Sequence, residues 1–121
     1  MRYCKEGDLH RKLQGRSFPC DVHFELTYRC NLKCCHCYCR GLSSKKKELS
    51  LAEIKKILDA LHREGSLWLS FSGGEPLLRK DFLDIYSYAI AKGFIISIFT
   101  NALLLDRKIL RYLCQAPPYS I

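Results

Sequence analysis

The sequence holds no run of about 18 or more uninterrupted apolar residues, so it offers no segment long enough to cross a bilayer as a helix. The N-terminus, Met1-Arg2-Tyr3-Cys4-Lys5-Glu6, lacks the apolar stretch of a secretion signal. Both absences lead us to expect a cytoplasmic protein with no membrane partner. Also missing is a second, distant C-x2-C pair of the kind a zinc ribbon uses. The net charge of +8 raises the question of nucleic acid, but the basic residues are scattered over Arg11-Lys12, Arg16, Lys45-Lys46-Lys47 and several helix faces. They are not interleaved with aromatics and match no binding module, so solvated faces account for them and no nucleic-acid partner is expected.

What the chain has is cysteine. Its 121 residues suit one domain, and five of the eight cysteines crowd between Cys30 and Cys39. With no secretion signal, that crowding favours a reducing compartment and metal binding over a disulfide framework. Cys30, Cys34 and Cys37 stand in a C-x3-C-x2-C spacing, which lets one short loop bring three thiolates to a single centre. A closed zinc site and an ordinary electron-transfer cluster each take four protein ligands, so three imply an open metal position. The competing reading is a non-catalytic metal-binding module. In it Cys34, Cys37 and two of Cys30, Cys35, Cys39 or His36 would hold zinc.

Around this loop the pattern alternates strands and helices. Residues 1–20 read as a basic lead-in, with a brief helix from Asp8 ended by Gly15. Val22, Phe24 and Leu26 alternate with His23, Glu25 and Thr27, which predicts a strand over 21–27 running straight into the cysteine loop. Ser50 and Glu53 form a capping box, followed by Ile54, Ile57, Leu58 and Leu61 at helical spacing, with Gly65 as the stop. Residues 67–71 read as a second strand leading into Gly73-Gly74-Glu75-Pro76. Two glycines there allow backbone angles and close approaches closed to other residues. A helix over 81–92, a strand over 94–99 apolar enough to be covered on both faces, and a helix from Asp106 to before Pro117 complete the order. Tyr119-Ser120-Ile121 reads as the opening of a fourth strand. Such alternation implies an α/β fold with parallel pairing, and the third strand is expected to have an open edge.

The loop Cys30–Cys37, preceded by Glu25-Leu26-Thr27-Tyr28-Arg29 and followed by Ser72-Gly73-Gly74-Glu75-Pro76, resembles the radical S-adenosylmethionine (radical SAM) family, close to its peptide- and protein-modifying, SPASM-type branch. The resemblance implies that residues 21–121 are parallel (β/α) repeats forming the first half of an incomplete TIM-like barrel, truncated at its fourth strand. It implies that Cys30, Cys34 and Cys37 hold a [4Fe-4S] cluster whose fourth iron binds S-adenosylmethionine, and that Gly73, Gly74, Glu75 and Pro76 meet the methionine half of that cofactor. His36 takes the position of an aromatic residue beside the adenine; ligation of metal by its imidazole is the alternative. Implied partners are a reductant protein such as flavodoxin or ferredoxin, a peptide substrate and a complementary C-terminal half. Cys35 and Cys39 read as small buried side chains, spare thiols or competing ligands. Many family members have Thr-Asn-Gly where this chain has Thr100-Asn101-Ala102, so a positive φ at Ala102 is not expected. A degenerate radical SAM-like protein that retains the fold but acts through partner binding is a further alternative.

Overall fold

The computed structural model describes residues 19–39 and 47–121. The expected lead-in helix from Asp8 lies outside them. Within them the order is β1 (Asp21–Thr27), α1 (Leu51–Arg63), β2 (Trp68–Gly73), a 3-10 turn (Pro76–Leu78), α2 (Phe82–Ala91), β3 (Ile95–Ile98) and α3 (Arg107–Gln115).

Local chemistry sets the boundaries. The Ser50 amide donates to Glu53 Oε2 at 2.7 Å while the Glu53 amide donates to Ser50 Oγ at 3.3 Å, so both halves of the expected capping box open α1. Gly65, at φ 86°, turns the chain out of α1, and Asp106 caps α3 by accepting from the Ile109 amide at 2.8 Å. Asp81 also precedes its helix, but its side chain makes no cap bond. Its carboxylate is held instead by Arg79, through Nε at 2.9 Å and Nη2 at 2.7 Å.

The strands form one parallel sheet in the order β1-β2-β3. Asp21 pairs with Trp68 and Phe24 with Phe71, while Trp68 pairs with Ile95 and Phe71 with Ile98. Near the end of β1 the register slips, because Glu25 faces Ser72 while Thr27 faces Gly73. Leu26 is thus an extra residue in a β-bulge.

The helices pack on one face of the sheet. Ile54 and Leu58 from α1, Ile85, Tyr86 and Ala89 from α2, Leu69 and Phe71 from β2 and Ile96 and Ile98 from β3 form a single buried cluster, joined by Leu113 of α3. Each large apolar side chain removed from water there contributes about 1.5–3 kcal/mol. The Tyr86 hydroxyl donates to the Ala116 carbonyl at 2.7 Å, fastening the end of α3 to α2.

Two expectations about β3 need correction. Its residues alternate, with Ile96 and Ile98 buried and Ile95 and Ser97 only half-buried, so one face is packed rather than both. The other side carries Ser97 in line with Ser70 and His23, a polar row against which no helix among the described residues is laid. The outer edge of β3 is also partly paired, since the Tyr119 amide donates to Ile96 O at 2.7 Å and the Ile98 amide to Ser120 O at 3.0 Å. These bonds make a parallel bridge between Ser97 and Ser120.

Candidate functional site

All three strands run in the same direction, so the loops that follow them meet at one end of the sheet. The cysteine loop follows β1, Gly74-Glu75-Pro76 follows β2 and Phe99-Thr100-Asn101 follows β3. This carboxyl end is where parallel α/β folds gather their sites. A cleft of about 600 Å³ opens there, lined by Cys37, Tyr38, Gly73, Gly74, Asn101 and, on the strands, His23 and Ser72. That size suits a small-molecule ligand, for which pockets of roughly 300–1,000 Å³ are usual.

Cys30 and Cys34 are exposed and Cys37 is partly exposed. The Cys37 amide donates to Cys34 O at 3.4 Å, which turns the chain between these two residues, and the Leu32 amide points at Cys30 Sγ at 3.4 Å. Among the described residues no group of three His, Cys, Asp or Glu side chains is arranged as a ready-made metal cage. The donor chemistry nonetheless suits an iron–sulfur cluster: three soft thiols on one surface loop, one of them lining the cleft.

Cys39 differs from the other thiols of this loop. It is buried and its Sγ donates to the Gly73 carbonyl at 3.2 Å. Burial pushes its pKa up, so the thiolate needed for metal binding is disfavoured. Its observed part is to fasten the end of the cysteine loop to the glycine stretch. Cys35 is exposed, with Sγ 3.1 Å from His36 Nδ1. His36 is exposed as well and does not line the cleft.

The glycine stretch has a steric cause of its own. Gly73 sits at φ 126°, and a Cβ on it would lie 2.1 Å from the Thr27 carbonyl oxygen. A Cβ on Gly74 would lie 2.2 Å from Arg29 O. The Gly74 amide donates to Thr27 O at 2.7 Å and the Glu75 amide to Arg29 O at 2.8 Å, so the stretch continues the sheet pairing beneath the start of the cysteine loop. Both glycines reach the cleft, whereas Glu75 and Pro76 are buried.

Glu75 is wholly enclosed, yet its carboxylate is well supplied with donors. It accepts from the Leu77 amide at 3.0 Å, from Thr100 Oγ1 at 2.8 Å and from the Asn101 amide at 2.9 Å. Asn101 Nδ2 in turn donates to Asn31 Oδ1 at 2.8 Å. The three loops are therefore cross-braced, with Glu75 at the centre.

Ala102 departs from expectation by adopting φ 64°, the left-handed conformation that glycine would take without strain. Its amide donates to Thr100 Oγ1 at 3.0 Å, and the Leu103 amide donates to Asn101 Oδ1 at 3.1 Å. These side-chain bonds hold the turn in place of glycine's freedom.

Sequence reasoning passed over His23, Glu48 and Arg79. His23 Nε2 and Ser72 Oγ share a hydrogen bond on the cleft side of the sheet, and the His23 ring lies 5.5 Å from that of Phe99. The signal was the inward half of the β1 alternation, which read only as the polar face. Arg79, almost fully buried, donates to Leu26 O at 3.1 Å and to Leu49 O at 3.0 Å. Glu48 accepts from Thr27 Oγ1 and takes both Arg29 Nε at 2.9 Å and Nη2 at 3.2 Å. Burial pushes the Glu48 carboxyl up, but the Thr27 and Arg29 hydrogen bonds and the nearby Arg29 and Arg79 charges outweigh it and hold its pKa below the usual value.

Residues 24–120 match the family model for the Radical SAM superfamily. The chain belongs to the radical SAM superfamily. It is 43% identical over 93 residues to Fe-coproporphyrin III synthase of Methanosarcina barkeri, covering 76% of this chain and 23% of that protein. It is 40% identical over 99 residues to the PqqA peptide cyclase of Rhodopseudomonas palustris, covering 81% and 26%. With the subtilosin biosynthesis protein AlbA of Bacillus subtilis it shares 35% over 101 residues, covering 82% and 22%. The chain thus spans about a quarter of the length of the relatives it matches.

Proposed function

We propose that this chain carries the cofactor end of a radical SAM enzyme, with residues 21–121 as the first half of an incomplete TIM-like barrel. The observation that carries the reading is the convergence of the C-x3-C-x2-C loop and Gly73-Gly74 on one cleft at the carboxyl end of a parallel sheet. Cys30, Cys34 and Cys37 would hold a [4Fe-4S] cluster, and Gly73 and Gly74 would offer their backbone to S-adenosylmethionine. When bound, the cluster and its cofactor supply one-electron cleavage of the sulfonium bond, giving a 5′-deoxyadenosyl radical that takes hydrogen from a substrate.

The protein's own contribution is positional. Glu75 ties the loops after β2 and β3 together from below, so its role is to hold Gly74 and Asn101 in place. The polar side chains that line the cleft from the strands include His23 and Ser72, with Phe99 beside them. His36 would reach the adenine only if the cysteine loop turned it inward. Reduction calls for an electron donor such as a flavodoxin or ferredoxin.

A peptide or protein is the substrate class we favour, on the names of the PqqA peptide cyclase and the subtilosin biosynthesis protein among the relatives. The name of the Methanosarcina relative points to an iron coproporphyrin as the competing class. Among the described residues no helix is long and apolar enough to cross a membrane.

The test is low-temperature EPR of anaerobically reconstituted, dithionite-reduced protein with and without S-adenosylmethionine. A [4Fe-4S] signal that changes on adding the cofactor is expected. Single replacement of Cys30, Cys34 or Cys37 by alanine should abolish it, while Cys114→Ala leaves iron content alone. Tight zinc with no cluster would overturn the proposal in favour of a metal-binding module.

A further inference from the structure

The cysteine loop begins between two residues that are gripped by one carboxylate from elsewhere in the chain. Thr27 closes β1 and Arg29 directly precedes Cys30; both donate to Glu48, which lies just ahead of α1. Arg79 approaches the same carboxylate at 4.0 Å from the buried side. As a surface ion pair the Arg29 contact would matter little, since exposed pairs contribute about 0–1 kcal/mol to stability. Its placement is what distinguishes it. A loop that must present three thiols to one centre gains from having its entry fixed in advance, because ordering it at the moment of binding costs conformational entropy.

We infer that Glu48 is a positioning residue for the cluster: by holding Thr27 and Arg29 together it sets the direction in which the chain enters Cys30. The inference rests on the reading of Cys30 as a cluster ligand. Glu48 does not touch the cluster; it acts through the backbone of the residues it grips. Groups that orient metal ligands from behind typically change metal affinity by roughly 10–100-fold when removed. One step further back, the lower end of that range applies.

The experiment compares iron retention against a chelator, and the thermal midpoint of the iron-free chain, in the wild type and in Glu48→Ala, Glu48→Gln, Glu53→Ala and Cys30→Ala. Glu53 is the control, because its carboxylate serves the cap of the same helix and does not touch Thr27 or Arg29. Glu48→Ala is expected to hold iron about tenfold more weakly. Glu48→Gln, which keeps an acceptor for Thr27 and Arg29, should recover part of that loss. Glu53→Ala should lower the thermal midpoint yet retain iron like the wild type. Wild-type retention in Glu48→Ala, or an equal loss in Glu53→Ala, would overturn the clamp. Loss of iron in Cys30→Ala alone would do so while leaving the functional reading standing. Failure of the wild-type chain to take up iron at all would overturn both.

Discussion

The Glu75 carboxylate accepts a hydrogen bond from the Asn101 backbone amide at 2.9 Å, joining the loop after β2 to the loop after β3 inside the protein. A buried carboxylate is tolerated only when its lone pairs are satisfied, and here an amide on each loop and the Thr100 hydroxyl do so. Glu75→Gln removes the charge and sets an amide donor against existing donors. We expect a loss of about 2–3 kcal/mol in urea unfolding, against about 1 kcal/mol for Thr100→Val, which takes away one bond. Equal midpoints for the two variants would show that Glu75 is not the centre of the brace.

Ala102 offers a gain instead of a loss. Its φ of 64° places an L side chain in a region that costs about 1–2 kcal/mol, and glycine has no Cβ to strain. Ala102→Gly should therefore stabilise the chain by about 1 kcal/mol after allowance for glycine's greater freedom when unfolded. Ala102→Val should move the urea midpoint the other way.

Two glycines separate strain from collision. Gly93 has φ 86° with open space around its missing Cβ, so Gly93→Ala should cost only the conformational strain, about 1 kcal/mol. Gly74→Ala drives a methyl group into the Arg29 carbonyl, and neither backbone can yield without moving the cysteine loop. We expect it to exceed Gly93→Ala by about 2 kcal/mol or more and to lower iron retention as well. Intact iron retention in Gly74→Ala would show that the loop can shift freely.

Asp81 predicts an acid limb. Hydrogen bonding to Arg79, and the charge of that guanidinium, hold its pKa below the usual value although burial opposes the shift. A depressed carboxylate adds stability that is fully present above the unfolded pKa and is lost as pH falls through the folded one. Thermal midpoints should hold through neutral pH and decline below about pH 4. In Asp81→Asn that part of the decline should be missing; an unchanged acid slope would assign it to other groups.

The elements were legible because each carries its own local signal. The alternation over 21–27 and the Ser50–Glu53 cap match the observed β1 and α1, and Gly65 and Gly93 mark where α1 and α2 are left. The cysteine spacing and the glycine stretch likewise announced the loops that meet at the cleft. What escaped depends on contacts between distant residues. Glu48 and Arg79 look like ordinary surface charges until folding brings Leu26, Thr27 and Arg29 beside them. Ala102 was misjudged because propensity disfavours φ 64° and gave no weight to the Thr100 and Asn101 side chains that hold the turn. Cys39 could be sorted from its neighbours only by burial and by its bond to Gly73.

The bulge at Leu26 has a larger effect than its single residue suggests. Strict alternation would put Thr27 on the same side as His23 and Glu25, looking into the cleft. The extra residue shifts the phase, and Thr27 is buried with its hydroxyl on Glu48, while Leu26 offers its carbonyl to Arg79. The Glu48 anchorage at the start of the cysteine loop is thereby made by residues that do not line the cleft, whereas the loop's other ties, Cys39 to Gly73 and Asn31 to Asn101, end on residues that do. The loop's entry is moored apart from the berth, so changes in what the cleft receives need not loosen that one tie.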